Sequence, residues 1–281
     1  MLKTRVVTAL ALLVVFLAAL FWLPQRAWAV FVGMVVVLAA REWGKLIKLS
    51  QVACGLYVFV VASVCALLFG FAQGDTRGAP MLPERSGLQS AVYLGASLFW
   101  MVVVPLCLWR SWLPRAHWLA ALTGVLVLVP TWLALVELRN VDPSLLLLLM
   151  SVTWISDSAA YFAGRRFGRH KLAPSISPGK TWEGVLGAIL AVSVYAALWS
   201  LVWQAHFPHA FKSMHFGAFG MLLFLWLLTA IGIYGDLFES ALKRQAGVKD
   251  SGAMLPGHGG VLDRVDALIA VLPVAALIYL S

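Results

Sequence analysis

The sequence predicts an all-α fold, a polytopic transmembrane helical bundle of about nine spans with its N-terminus cytoplasmic and its C-terminus outside. Three observations carry this reading. The 281 residues are 62% hydrophobic and 12% charged. The apolar residues fall in repeated runs of roughly 18 to 22, the length a helix needs to cross a bilayer. The basic residues alternate in density from loop to loop, as cytoplasmic and external loops do. Cys54, Cys65 and Cys107 lie in or beside apolar runs without a CxxC pattern, so neither a disulfide framework nor a zinc site is indicated.

The spans read in order as Val6 to Leu23, Ala27 to Ala40, Gln51 to Phe71, Leu88 to Leu108, Trp118 to Leu138, Leu145 to Ala163, Trp182 to Trp203, Phe216 to Gly235 and Gly260 to Leu280. The second is short and the ninth is charged at its start. Lys3 and Arg5, the first run and then Ala27-Trp28-Ala29 imitate a secretory signal with its cleavage site. The run of about 18 residues exceeds the usual apolar core of such signals, so an uncleaved first span is expected. With the N-terminus inside, 16 of the 21 Lys and Arg fall on the cytoplasmic side, leaving Arg26, Arg77, Arg85, Arg139 and Lys212 outside. The net charge of +9 is then a topology signal and an attraction for anionic lipid or a polyphosphate; nucleic acid is not needed to explain it. Residues 1–143 read as N-terminal spans, and residues 144–281 as a catalytic transmembrane region with two cytoplasmic polar loops.

The first loop, Gly164 to Glu183, is dense in cations, Gly, Ser and Pro. Pro178 and Gly179 favour a turn, and the helix start that follows offers free N–H groups. Lys180, Ser177 and Thr181 would reinforce an anion cradle there; the plainer alternative is that Thr181 or Ser177 caps a helix. Gly179-Lys180-Thr181 is not a Walker A motif, since Pro174 stands where its first glycine belongs and no strand is expected to lead in.

The second loop, Ser240 to Asp266, packs eight titratable residues between two apolar segments, which marks a functional site at the membrane boundary. The eighth span is expected to continue as a helix that aligns Asp236, Ser240 and Lys243, with Arg244 beside them. Gly257-His258-Gly259-Gly260 permits a tight turn and close approach of a ligand. Asp263 and Asp266 follow at a spacing of three, and with Asp236 they are hard oxygen donors of the kind Mg²⁺ takes together with substrate phosphates. Asp157, inside the sixth span between Ser156 and Ser158, is expected to be buried and to join them.

Other features read as structural. His206, His209 and His215 lack an accompanying carboxylate. Trp100, Trp109, Trp112, Trp118, Trp132, Trp199 and Trp203 read mostly as interfacial belts. Arg41, Glu42, Lys45 and Lys48 read as a cytoplasmic rim.

Ser240, Lys243, Arg244, Lys249, Asp250, Pro256, His258, Gly259, Gly260, Asp263, Arg264 and Asp266 match in spacing the signature S-x-x-K-R-x(4)-K-D … P-x-H-G-G-x-x-D-R-x-D. In this the chain resembles the phosphatidate cytidylyltransferase (CDP-diacylglycerol synthase) family. Gly235-Asp236 and the run from Asp157 and Tyr161 through Gly164, Phe167, Gly168, Ser177, Pro178, Lys180, Thr181, Glu183 and Gly184 extend the likeness; before Asp157 it rests on hydrophobic spans alone. The resemblance implies transfer of a cytidylyl group from CTP to phosphatidate in a bacterial cytoplasmic (inner) membrane, with the site on the cytoplasmic side. It implies Mg²⁺, with a second metal or a monovalent cation as a further expectation, and a homodimer. Asp236 and Asp263 are the expected principal metal ligands, with Asp266 and Asp157 in support. Lys243, Arg244 and Lys249 are expected on phosphates, and Lys180, Ser177 and Thr181 are expected to close the site. Ser240, His258 and Arg264 are expected at substrate. The competing readings are a CTP-dependent polyprenol kinase and a cation-coupled transporter.

Overall fold

The computed structural model describes residues 2–74, 87–206, 217–254 and 259–280. Its helices are α1 (Leu2–Trp22), α2 (Gln25–Leu46), α3 (Gln51–Gly74), α4 (Gly87–Leu98), α5 (Val104–Trp109), α6 (His117–Val141), α7 (Pro143–Phe167), α8 (Trp182–His206), α9 (Ala218–Ala246), α10 (Leu262–Val265) and α11 (Leu268–Leu280). A hairpin of β1 (Lys171–Ala173) and β2 (Ser177–Thr181) joins α7 to α8. The chain is therefore helical as expected, with one short antiparallel pair that the polar first loop did not foreshadow. That pair carries the Gly179-Lys180-Thr181 tripeptide on a strand, contrary to the expectation of none.

Among the described residues, seven segments are long and apolar enough to cross a bilayer: Gln25–Leu46, Gln51–Gly70, Gly87–Trp109, His117–Val141, Pro143–Phe167, Trp182–Trp199 and Phe219–Ala246. Leu10–Trp22 and Leu268–Leu280 are shorter apolar helices. The expected short second span is a full one, because α2 runs on through Arg41 to Leu46 and buries Glu42, Trp43 and Gly44 inside the protein. The expected ninth span is broken, with a turn at Asp266 and Ala267 separating α10 from α11.

Prolines shape the helices and the bundle repairs what they disrupt. Pro105 cannot donate to the preceding turn. Just before it, Phe99–Val103 widens into a π-helical turn in which the Val104 amide bonds the Phe99 carbonyl. In α11, Pro273 deprives the Ile269 carbonyl of its helical donor, and the Thr131 hydroxyl of α6 supplies one at 3.1 Å. Such repair is obligatory where water is absent. Every residue from Leu268 to Ala276 is buried, which makes α11 the central helix, packed by α4, α6, α7 and α9.

Three indoles stitch α2 to α6: Trp28 and Trp43 donate to the Leu135 and Ala120 carbonyls at 3.0 and 2.9 Å, and Trp132 returns a bond to Ala29 at 3.1 Å. Arg139 is buried, donates to the carbonyls of Leu20 and Leu23 at the end of α1, and lies 5.6 Å from the Trp28 ring. A cation there complements the negative end of the helix. The belt reading is thus corrected for Trp100, Trp132 and Trp199, which are core residues, while Trp109, Trp112 and Trp118 are exposed; the Trp203 side chain lies outside the described residues, as do Arg77, Arg85, His209, Lys212 and His215.

Small residues let α7 and α8 approach closely, the usual solution for helices in lipid. A Cβ on Gly187 would stand 2.4 Å from the Ala163 Cβ, and one on Gly184 would stand 2.9 Å from the Ala160 carbonyl oxygen. Gly187→Leu is therefore expected to destabilise the protein by about 1–3 kcal/mol through overpacking, read as a lowered melting temperature in detergent. Gly55→Leu, on an open face of α3, should leave it unchanged.

Candidate active site

Helix α9 continues beyond the eighth span's end at Gly235, as expected, as far as Ala246, and Gly247 stops it in the left-handed conformation, φ +80°. Its last turns present Asp236, Ser240 and Lys243 along one stripe, as the spacing predicts. The Ser240 hydroxyl donates to Asp236 at 3.2 Å. Lys243 is buried and bridges two acids: its ammonium pairs with Glu239 one turn back and with Asp263 Oδ1 at 2.7 Å. Glu239 is wholly buried. Sequence reasoning passed over it as one more residue of an apolar helix, although its spacing of four from Lys243 was a readable signal.

Asp263 fastens the second loop. Its Oδ1 takes Lys243, and its Oδ2 accepts from the Ser251 amide at 2.9 Å, the Ser251 hydroxyl at 3.0 Å and the Gly260 amide at 2.8 Å. Burial pushes this carboxyl up, but the Lys243 ammonium and the Gly260 and Ser251 amides outweigh burial and hold it below its ordinary value. Its contribution to stability is present above the usual carboxylate range and is lost as pH falls through the lowered value.

Glu42 of α2 completes this loop and corrects its reading as part of an exposed rim. It is 2% exposed, and its carboxylate accepts from the amides of Val261 (3.1 Å) and Leu262 (2.8 Å) and shares the one proton of the Ser251 hydroxyl (3.1 Å) with Asp263. The orphan N–H groups at the start of α10 are thus taken by two carboxylates, Asp263 on Gly260 and Glu42 on the next two. The glycines are required for space: a Cβ on Gly260 would stand 2.2 Å from the Ser251 hydroxyl and 2.5 Å from Glu42 Oε2, and one on Gly252 would stand 2.4 Å from Glu42 Oε1.

The two polar loops meet. Lys180, on β2, pairs with Asp236 at 2.6 Å, and the Arg244 guanidinium reaches the Ile176 carbonyl at 3.4 Å. Ser177 lies partly buried at the start of the same strand. Thr181 is buried, and its hydroxyl accepts from the Gly184 amide at 3.1 Å as the N-terminal cap of α8. Gly164 and Gly168 pack against it. The geometry gives Thr181 the capping role rather than a phosphate contact.

Asp157, Asp236 and Asp266 lie close enough to feel one another's charge, with Lys180 near the first two and Glu239 near the last. Asp157 lies on the outward flank of α7, within the Pro143–Phe167 span and not in the packed core. Asp266 accepts from the following amide at 2.9 Å. Lys249 and Arg264 are exposed, and Pro256 and His258 lie outside the described residues. Among the described residues, no three His, Cys, Asp or Glu side chains stand as ligands around one point. Mg²⁺ nevertheless takes one or two carboxylates and completes its shell with phosphate and water. The crowded, mutually repelling carboxylates of Asp157, Asp236 and Asp266, of which Asp236 pairs with the Lys180 ammonium, fit such an ion.

A family model described as the cytidylyltransferase family matches residues 3–281. A phosphatidate cytidylyltransferase of Pseudomonas aeruginosa is 38% identical over 288 aligned residues, covering 99% of this chain and 97% of its own. One from Haemophilus influenzae is 33% identical, with 99% of both chains covered. One from Bacillus subtilis is 43% identical over 141 residues, 49% of each chain. The chain belongs to the cytidylyltransferase family.

Because Glu42 takes three donors at once, Glu42→Ala is expected to cost at least about 2 kcal/mol and to make the 247–261 loop sensitive to limited proteolysis. Gly260→Ala, which displaces the same carboxylate, should reproduce the loop's sensitivity; intact loops in both variants would refute the role given to Glu42.

Proposed function

We propose that the chain transfers the cytidylyl group of CTP to phosphatidate, giving CDP-diacylglycerol and pyrophosphate for phospholipid synthesis, from nine spans in a bacterial cytoplasmic membrane with the site facing the cytoplasm. The observation that carries this reading is the junction of the two basic loops at Lys180 and Asp236, beside Lys243, Ser240 and the acids of α10, in a chain of this family. Relatives named phosphatidate cytidylyltransferase over nearly their full length support the same substrates.

The residues suit the chemistry. The phosphate monoester of the lipid is an anion at neutral pH, so it can attack without a general base. One of its oxygens bonds to the α-phosphorus of CTP as the bond from that phosphorus to the α,β-bridging oxygen breaks, and the electron pair leaves with pyrophosphate. Positioning and charge neutralisation therefore supply the catalysis. In this proposal Arg244, Lys249 and Lys180 hold the triphosphate, with Ser177 and Ser240 as hydroxyl donors and Arg264 and His258 contributing from the second loop. Lys243 holds Asp263 in place and contributes its field. Mg²⁺ would be held by Asp236, with Asp157 and Asp266 in support, and would neutralise triphosphate charge when bound. Asp263, whose oxygens are already engaged, serves in this proposal as the frame of the loop. A homodimer belongs to the proposal through the family resemblance.

The test is turnover of purified protein in detergent with CTP labelled at the α-phosphorus, dioleoyl phosphatidate and Mg²⁺, with and without EDTA. Label in the lipid phase that EDTA abolishes is expected. A phosphorylated alcohol with release of CDP, or label confined to water by a protein that binds CTP, would reject the reading.

Asp236→Asn and Asp263→Asn separate the two kinds of acid. Asp236→Asn should cut turnover by at least about a hundredfold with the melting temperature retained. Asp263→Asn should lose both turnover and thermal stability, since the single oxygen it keeps can face either Lys243 or the Ser251 and Gly260 amides but not both. Equal stability in the two variants would contradict this division.

A further inference from the structure

A recess of about 190 Å³ opens at the end of the bundle that carries Lys243 and Arg244, between the end of α2, the α5–α6 loop and the last turns of α9. Lys48, Pro114, Arg115, His117, Leu242 and Gln245 line it. We propose that this recess binds the phosphate of an anionic phospholipid headgroup, in the leaflet that faces the active site and separately from it.

The charge of the lining points to an anion. Two cationic side chains, Lys48 and Arg115, converge on the recess beside the His117 ring, and no acid lines it. Lys48 and Arg115 are exposed, and neither makes an ion pair among the described residues. The recess is also built rather than incidental: the His117 ring bonds the Ile47 carbonyl at 2.7 Å, and Gln245 donates to the Pro114 carbonyl at 3.2 Å, which ties α9 to the loop. Lys48 holds the left-handed conformation, φ 57°, a backbone state that a lysine rarely adopts.

The surroundings identify a lipid as the source of the phosphate. Trp109, Trp112 and Trp118 flank the basic groups at 80%, 61% and 65% exposure. Large exposed indoles beside exposed cations belong at headgroup depth. Leu242, Gln245 and Ala246 face the recess, while Asp236, Ser240 and Lys243 lie around the other side of α9, Gln245 being roughly opposite Asp236 and Lys243 on the helix. A lipid bound here touches the helix of the active site from behind.

Native mass spectrometry of the full chain in detergent, titrated with dioleoyl phosphatidylglycerol or dioleoyl phosphatidylcholine, tests this. The wild type should hold phosphatidylglycerol more tightly than phosphatidylcholine. Lys48→Asn combined with Arg115→Gln should weaken phosphatidylglycerol about thirtyfold, at one charge contact per cation, and leave phosphatidylcholine unchanged. Asn is chosen because it tolerates the backbone at position 48. Lys45→Gln, an exposed cation of α2 outside the recess, should change binding less than about twofold by the same contact rule. Undiminished binding in the double variant, or an equal loss in Lys45→Gln, would overturn the site. Displacement of the lipid by millimolar glycerol 3-phosphate would overturn the lipid assignment in favour of a soluble phosphate. Should the double variant fail to fold, Arg115→Gln alone, on the exposed loop, gives the same decision at about fivefold.

Discussion

One carboxylate, Glu42, holds the second polar loop against the bundle. It sits in the N-terminal half of the chain and accepts three hydrogen bonds from residues more than 200 positions later. Without it the start of α10 would leave amides unpaired in a buried place, which is costly. The two glycines that touch it, Gly252 and Gly260, are small because the carboxylate fills the space a Cβ would take. The N-terminal spans are thus part of the site's framework, and α2 reaches past the expected membrane boundary for this reason.

Lys243 plays the matching part from α9. An ammonium buried between Glu239 and Asp263 costs desolvation that the two acids offset; removing Lys243 would strand both acids, at about 3–5 kcal/mol, whereas removing either acid leaves the ammonium paired with the other. Glu42, Asp263 and Lys243 form one continuous set, since Ser251 joins Glu42 to Asp263 and Asp263 joins Lys243. Phe238 lies in the same stretch of α9 and packs edge-on against Phe99 and Trp100 at 5.6 and 5.7 Å. The widened turn before Pro105 therefore buttresses the segment that presents Asp236 and Ser240.

The sequence made the helical membrane architecture legible because apolar runs of bilayer length have few other uses. It also exposed Asp236, Ser240, Lys243, Asp263 and Asp266, since polar groups in a chain this apolar stand out and helical spacing aligns them. Glu42 was hidden by its neighbours: Arg-Glu-Trp-Gly-Lys reads as the charged end of a span, and nothing local says that its acid points inward to a distant loop. Thr181 was ambiguous between phosphate contact and cap because both use the same hydroxyl at the same helix start. The hairpin of β1 and β2 was too short for a period of two to register. The break at Asp266 and Ala267 was masked by the apolar run that follows, and the burial of Trp100, Trp132 and Trp199 depends on which neighbours they meet.

The acids of the site divide by what remains free on each oxygen. Asp263 and Glu42 accept two or more bonds from fixed donors on at least one oxygen and one or more on the other, so they are committed to the frame. Asp236 meets a lysine and a serine whose side chains can swing away, Asp266 meets a single amide, and Asp157 stands exposed on α7. CTP brings several negative charges toward these three carboxylates, which repel one another and would repel it. In the proposed reaction cations must therefore accompany the nucleotide or move onto it, and Lys180, which pairs with Asp236 and is only partly buried, would be the side chain to exchange that carboxylate for a phosphate. The outward position of Asp157 on α7 leaves one flank of the acid group uncovered by helices, and in the proposed reaction a lipid phosphate lying in the bilayer interface would reach the same charges there without crossing the packed frame.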